Sequence, residues 1–280
     1  MSESPLRSQF RNAYRNLVLR PLLEPEEVRR FKVPYGEKVL AKLEQKIDFA
    51  LPGSNNKMIF TGHQGCGKST LLGELSRNLK AAGYFSVSFS IADLVERSDI
   101  DRIKILFAIA VQLMATAEAE KIEIPQDARE RFYNWFAIKT QVNLAQKRAE
   151  LGAGFDLFKI VRGKMQVDAT IRQEIKEEFE RNITELVDRI NEIAEIIANA
   201  TKKDIVVIIE DLDKLDIGDA REIFSERVKA LFQPQFCIVY TIPIAVLREI
   251  DIRRGLEMET NNDKPLSLGR GIWGEGQGLG

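Results

Sequence analysis

The chain has 280 residues, 44% apolar and 30% charged, with 41 basic and 42 acidic residues and a formal charge of −1. That length supports one large domain or a core domain with an insertion, and the balanced charge excludes a global basic field of the kind that draws nucleic acid. Two cysteines, Cys66 and Cys237, exclude a disulfide framework; no apolar run reaches the ~18 residues of a membrane span and no secretory leader opens the chain, so a cytoplasmic setting is expected.

Residues 1–32 read as a helical extension. An Arg-rich run from Phe10 to Arg20 stops at Pro21, and Glu24-Pro25-Glu26-Glu27 has the composition of a helix start. Val39, Leu40, Leu43, Ile47 and Ala50 recur at helical spacing. After a loop at Pro52-Gly53-Ser54-Asn55-Asn56, the apolar Met58-Ile59-Phe60 is a candidate buried strand. Thr70-Leu71-Leu72-Gly73-Glu74-Leu75 begins a helix that ends near Gly83, and Tyr84 to Ile91 alternates as a second strand.

Residues 100–200 are mostly helical. Ile100 to Met114 is apolar, and Pro125 to Gln146 places Phe132, Trp135 and Phe136 on one face. Gly152-Ala153-Gly154 breaks the pattern, and Phe155 to Val167 fits either a short hairpin or a bent helix. From Thr170 to Ala200 one apolar stripe runs through Ile171, Ile175, Phe179, Ile183, Leu186, Ile190, Ile193 and Ile197. It predicts one long helix that packs on the 126–150 segment, with pairing to a second chain as the alternative. Ile205 to Ile209 is a pure apolar strand suited to a parallel sheet. A helix near 219–232, a strand at Phe236 to Thr241 and a helix over 244–256 follow. Residues 258–280 read as a flexible or non-native Gly-rich tail.

The chemistry lies at two places. Between the first strand and its helix stands Gly62-His63-Gln64-Gly65-Cys66-Gly67-Lys68-Ser69, followed by Thr70. This is a G-x-x-x-x-G-K-[ST] loop, whose glycines let backbone N–H groups turn toward phosphate at a helix N-terminus. Lys68 can reach β- and γ-phosphates, and the Ser69 hydroxyl can ligate Mg²⁺. Cys66 and His63 occupy positions where the motif tolerates any residue. The second place is Glu210-Asp211 at the end of the 205–209 strand, where an α/β sheet puts its ligands. In the usual register Glu210 assists Mg²⁺ and Asp211 polarises water; the reverse, with Asp211 on the metal, stays open. Asp213 reads as a turn or cap residue. Thr201-Lys202-Lys203-Asp204 matches the guanine signature [NT]-K-x-D but precedes the acidic strand, so it reads as a turn and ATP is expected rather than GTP.

The Gly62–Ser69 loop, the run from Ile205 to Leu215 and the strand ending Tyr240-Thr241-Ile242-Pro243 together resemble the additional-strand P-loop ATPases, in their STAND and KAP-like branch. The resemblance implies an α/β P-loop sheet flanked by helices. Its core would be 33–99 and 201–257, with a large helical insertion, 100–200, between the second strand and the acidic (Walker B) strand. It also implies that Thr241 sits as a sensor near the γ-phosphate and that Val33-Pro34-Tyr35-Gly36 lies by the adenine. It makes Arg253 and Arg254 candidates for an arginine that reaches a neighbour's nucleotide. The resemblance stops near 255, so the helical lid of AAA proteins is not expected.

The leading expectation is a Mg²⁺-dependent ATPase acting as a conformational switch or motor, with a protein partner or self-association through the insertion. One alternative is an ATP-bound scaffold with little hydrolysis. The other is a DNA-linked ATPase of a replication, transposition or defence system, for which only arginines 7, 11, 15 and 20 speak and which the net charge does not support.

Overall fold

The computed structural model describes residues 5–16, 22, 25–31, 35–50, 56–225, 228–260 and 265–268. Helices α1 (Pro5–Asn16), α2 (Pro25–Phe31) and α3 (Glu37–Asp48) lead into strand β1 (Lys57–Gly62). Helix α4 (Lys68–Ala81) and strand β2 (Phe85–Ser90) follow. Then come six helices: α5 (Arg102–Ala119), α6 (Gln126–Lys139), α7 (Leu144–Leu151), α8 (Leu157–Val167), α9 (Ala169–Arg181) and α10 (Ile183–Thr201). The described chain closes with β3 (Ile205–Glu210), α11 (Ile217–Phe224), β4 (Cys237–Ile242), α12 (Ile250–Glu259) and β5 (Leu266–Leu268). The five strands form one sheet in the order β2-β3-β4-β1-β5. Every pairing in it is parallel.

A parallel sheet covered on both faces needs apolar side chains on both, and strand alternation divides them. Met58, Phe60, Val206, Ile208 and Val239 face α3 and α4, where Leu43, Leu72 and Leu75 are fully buried. Ile59, Val207, Ile209, Ile238 and Tyr240 face the larger core built with the helical segment. Helix α5 is the centre of that core. It is buried on every side from Ile103 to Met114, as expected of a helix that is apolar all round. It packs on β2 and on α8, α9 and α10. Its one buried cation, Lys104, is paired with Asp99 and Asp101.

Several sequence expectations are corrected. The single helix over 170–200 is two helices, because Asn182 leaves helical geometry at φ −141°, ψ 57°. The apolar stripe does find a partner within the chain, but chiefly α5; α6 adds Trp135 against Phe179, 5.9 Å between rings. The 155–167 segment is the helix α8, capped where the Asp156 carboxylate accepts from Lys159 N–H. The 125–146 helix breaks at Thr140, and the 219–232 helix ends at Phe224 with a separate 3-10 turn over 228–232. Within the stretch read as a tail, Leu266–Leu268 is strand β5, paired with β1 from Phe60 to Gly62. Three residues after Pro265 carry no periodicity, and only the free edge of β1 organises them. Residues 269–280, Val33, Pro34 and the 51–55 part of the predicted loop lie outside the described residues.

Phe107 on α5 is fully buried and meets Phe136 edge-on at 5.7 Å. Replacing Phe107 by Ala is expected to lower unfolding free energy by about 3–5 kcal/mol in urea titration. Ile138→Ala, at a 72% exposed position, should change it by less than about 0.5 kcal/mol.

Candidate nucleotide site

The loop between β1 and α4 and the end of β3 meet at the carboxyl edge of the sheet. Gly67 has φ +90°, a left-handed backbone that glycine adopts at little cost; from there α4 starts, with Leu71 N–H donating to Gly67 O. Gly62 is needed for another reason. A Cβ there would sit 2.9 Å from the Leu268 carbonyl oxygen of β5. His63, Gln64 and Gly65 are exposed, and Cys66 is half-buried with a free thiol.

Lys68 opens α4 and is 7% exposed. Its Nζ donates to the carbonyls of Gly62 and His63, both at 2.8 Å, and is paired with Asp213 Oδ2 at 2.9 Å. Through that ion pair the loop touches the turn after β3 across the intervening β4. Ser88 Oγ donates to Glu210 Oε1 at 3.4 Å. Burial pushes the Glu210 carboxyl up to about 7; Asp211 and Asp213 push the same way, while the Ser69 and Ser88 hydroxyls oppose them.

Asp211 has a left-handed backbone, φ +69°, a strained conformation for a residue with a Cβ. Its carboxylate is held by Ser90 Oγ at 2.8 Å and Lys214 Nζ at 2.6 Å. Ser90 is the register partner of Glu210, so the last residue of β2 reaches the acids. The three acids therefore separate by contact: Glu210 to Ser88, Asp211 to Ser90 and Lys214, Asp213 to Lys68.

In this sheet β4 stands between the strand that precedes the phosphate loop and the strand that ends in acids. That additional central strand is what the motifs implied. The family model for the AAA ATPase domain matches residues 33–233, more than half of the chain. The chain belongs to the AAA ATPase domain family. No curated protein matches it significantly. The AAA domain is thus an ATP-binding P-loop domain of α/β fold. The match takes in the loop, the helical segment and the acids; β4 lies beyond it.

Thr241 is at the carboxyl end of β4 and 1% exposed. Its hydroxyl donates to Ile209 O at 3.0 Å, while Thr61 donates to Ile242 O at 2.9 Å. These two threonines tie β4 to β3 and to β1 just beneath the acids. A cleft of about 210 Å³ opens beside the loop, with Phe31, Tyr35, Leu71 and Leu268 among its walls. The amino-terminal segment borders it, where Leu22 N–H donates to Thr70 Oγ1 at 3.0 Å. Thr201-Lys202-Lys203-Asp204 closes α10 through a left-handed Lys202. It precedes β3 and so lies at the opposite edge of the sheet from Glu210.

Sequence reading gave Asp213 only a turn or cap role and passed over Ser88 and Ser90. The serines had a signal: they alternate with Phe85, Val87 and Phe89 and so share one face. Asp213 had only its place three residues after Glu210, and nothing in a sequence shows that the turn aims it at Lys68.

The raised Glu210 carboxyl gives a stability prediction with a definite sign. A group whose folded pKa exceeds its unfolded value favours the fold below the unfolded pKa and loses that contribution as pH rises through the folded one. Without magnesium or nucleotide, wild type should therefore lose stability relative to Glu210→Gln between pH 5 and 8, by about 1–3 kcal/mol. Urea midpoints at both pH values check this, and parallel behaviour of the two proteins would contradict it.

Proposed function

We propose that the AAA domain is a magnesium-dependent ATPase that works as a conformational switch or motor for a protein partner. The observation that carries this reading is the buried ion pair between Lys68 of the phosphate loop and Asp213 of the turn after the acidic strand, 2.9 Å apart. It brings the two motifs together at one point, where the Ser69 hydroxyl acts on the Glu210 carboxyl. Those hard oxygen donors suit Mg²⁺, which usually takes one or two protein ligands and fills the rest from phosphates and water.

In this reading Ser69 and Glu210 hold the magnesium, which when bound neutralises charge on the β- and γ-phosphoryl oxygens. The backbone N–H groups from Gly65 to Thr70 receive the phosphates at the start of α4. His63, Gln64 and Cys66 contribute main chain only. Lys68 stabilises the charge that spreads over the γ-phosphoryl group in the transition state. Asp211, once released from Ser90 and Lys214, orients the attacking water. Thr241 stands beneath the acids as the sensor, and its bond to Ile209 O lets a shift at β3 reach β4. The cleft beside Tyr35 receives the base, its apolar walls suiting a stacked ring. Residues after Ser90 lead directly to α5, so movement at the acids reaches the helical segment, where a partner docks.

The bond that Asp211 makes to Lys214 favours a second reading, an ATP-bound scaffold with slow hydrolysis. The two part on turnover. Replacing Lys68 by Ala should abolish Mg·ATP binding in calorimetry, with circular dichroism confirming the fold; unchanged affinity would sink the assignment. Glu210→Gln and Asp211→Asn should keep ATP bound yet lower single-turnover hydrolysis by about a hundredfold or more. Under the scaffold reading neither variant differs from wild type.

A further inference from the structure

The lysine that the proposed function gives to phosphate is already engaged by a carboxylate. Lys68 Nζ and Asp213 Oδ2 are 2.9 Å apart, and their side chains are only 8% and 7% exposed. The same amine donates to Gly62 O and His63 O. An ammonium has three protons, and these three acceptors use all of them. A phosphoryl oxygen can approach Lys68 only by displacing one.

The three acceptors differ in how they can yield. The two carbonyls belong to the phosphate loop itself, which cradles the ligand and moves with the lysine. Asp213 belongs to a different segment, the 3-10 turn Leu212–Lys214 after β3. It is also the only one that is charged. A phosphate brought beside Lys68 would lie next to a buried carboxylate, in surroundings where like charges repel far more strongly than in water. The two neighbouring acids do not share this conflict in the same way: Glu210 is bonded to Ser88, and Asp211 to Ser90 and Lys214.

We propose that Asp213 is a positioning residue that competes with nucleotide phosphate for Lys68. It holds the ammonium ready over the loop, weakens nucleotide affinity, and makes binding shift the turn that follows β3. The inference rests on the proposed reading that Lys68 meets phosphate. The turn is built to move as a piece. It is closed by two backbone bonds, Lys214 N–H to Asp211 O at 3.2 Å and Leu215 N–H to Leu212 O at 3.3 Å, and the first of these starts on the residue already strained at φ +69°. Release of Asp213 from Lys68 would therefore be felt at Asp211, the acid placed to orient water.

The test uses the sign of the effect. Asp213→Asn keeps the size and an oxygen that Lys68 can still bond, and removes the charge. In calorimetry with Mg·ATP it should bind roughly tenfold more tightly than wild type, and Asp213→Glu should return affinity toward the wild-type value. A residue of merely structural importance predicts the opposite, an affinity that is weaker or unchanged. A second measurement needs no variant: hydrogen exchange at the Lys214 and Leu215 amides of wild type should change on adding Mg·ATP. Equal or weaker binding by folded Asp213→Asn overturns the proposal, and so does exchange at those amides that ignores the nucleotide. Wild type with no measurable ATP affinity would overturn the proposed function as well, which separates the two failures.

Discussion

Everything in this molecule follows from a sheet that must be apolar on both faces. Strands such as Ile205–Glu210 bury five consecutive side chains, so helices are required above and below, and polar chemistry is confined to the edges. The carboxyl edge is where strand ends and helix starts expose unpaired backbone groups together. There Lys68 begins a helix as Glu210 ends a strand, and β4 sets the spacing between them. The two threonine hydroxyls at 61 and 241 fix that spacing by bonding across to the neighbouring strands. The site is therefore assembled by register, and no loop has to find its partner unaided.

The helical segment obeys the same constraint. Helix α5 shields one face of the sheet and is itself enclosed by α8, α9 and α10. Sheet face and helices form one continuous apolar core, from Ile59 and Tyr240 through Phe107 to Phe136 and Phe179. A segment that looks like an insertion along the chain is thus packed as part of the interior. Strand β2 shares that core through Phe85, Val87 and Phe89, and close-packed interiors transmit shifts between neighbours.

Much of this was legible in the residues. The glycine spacing of the phosphate loop, the apolar runs of β1, β3 and β4 and the serine–aromatic alternation of β2 are local signals, and local signals survive without a fold. What was hidden depends on distant partners. Asn182 sits within an unbroken apolar stripe, and only the packing of α9 and α10 on α5 requires the chain to turn there. Asp213 lacked any local mark because its meaning is its distance to a lysine far away in the chain. Leu266–Leu268 is too short for periodicity and is a strand only because β1 offers it an edge.

That short strand has a consequence of a different kind. With β5 in place, β1 is an interior strand and its hydrogen-bonding groups from Phe60 to Gly62 are satisfied. A shortened version of this chain that stops before Pro265 would leave those groups bare along an apolar strand, which is a template for another molecule. The three residues thus guard that edge, and Leu268 is also a wall of the cleft. Because the Leu268 carbonyl rests against Gly62, that guard is set against the first residue of the phosphate loop.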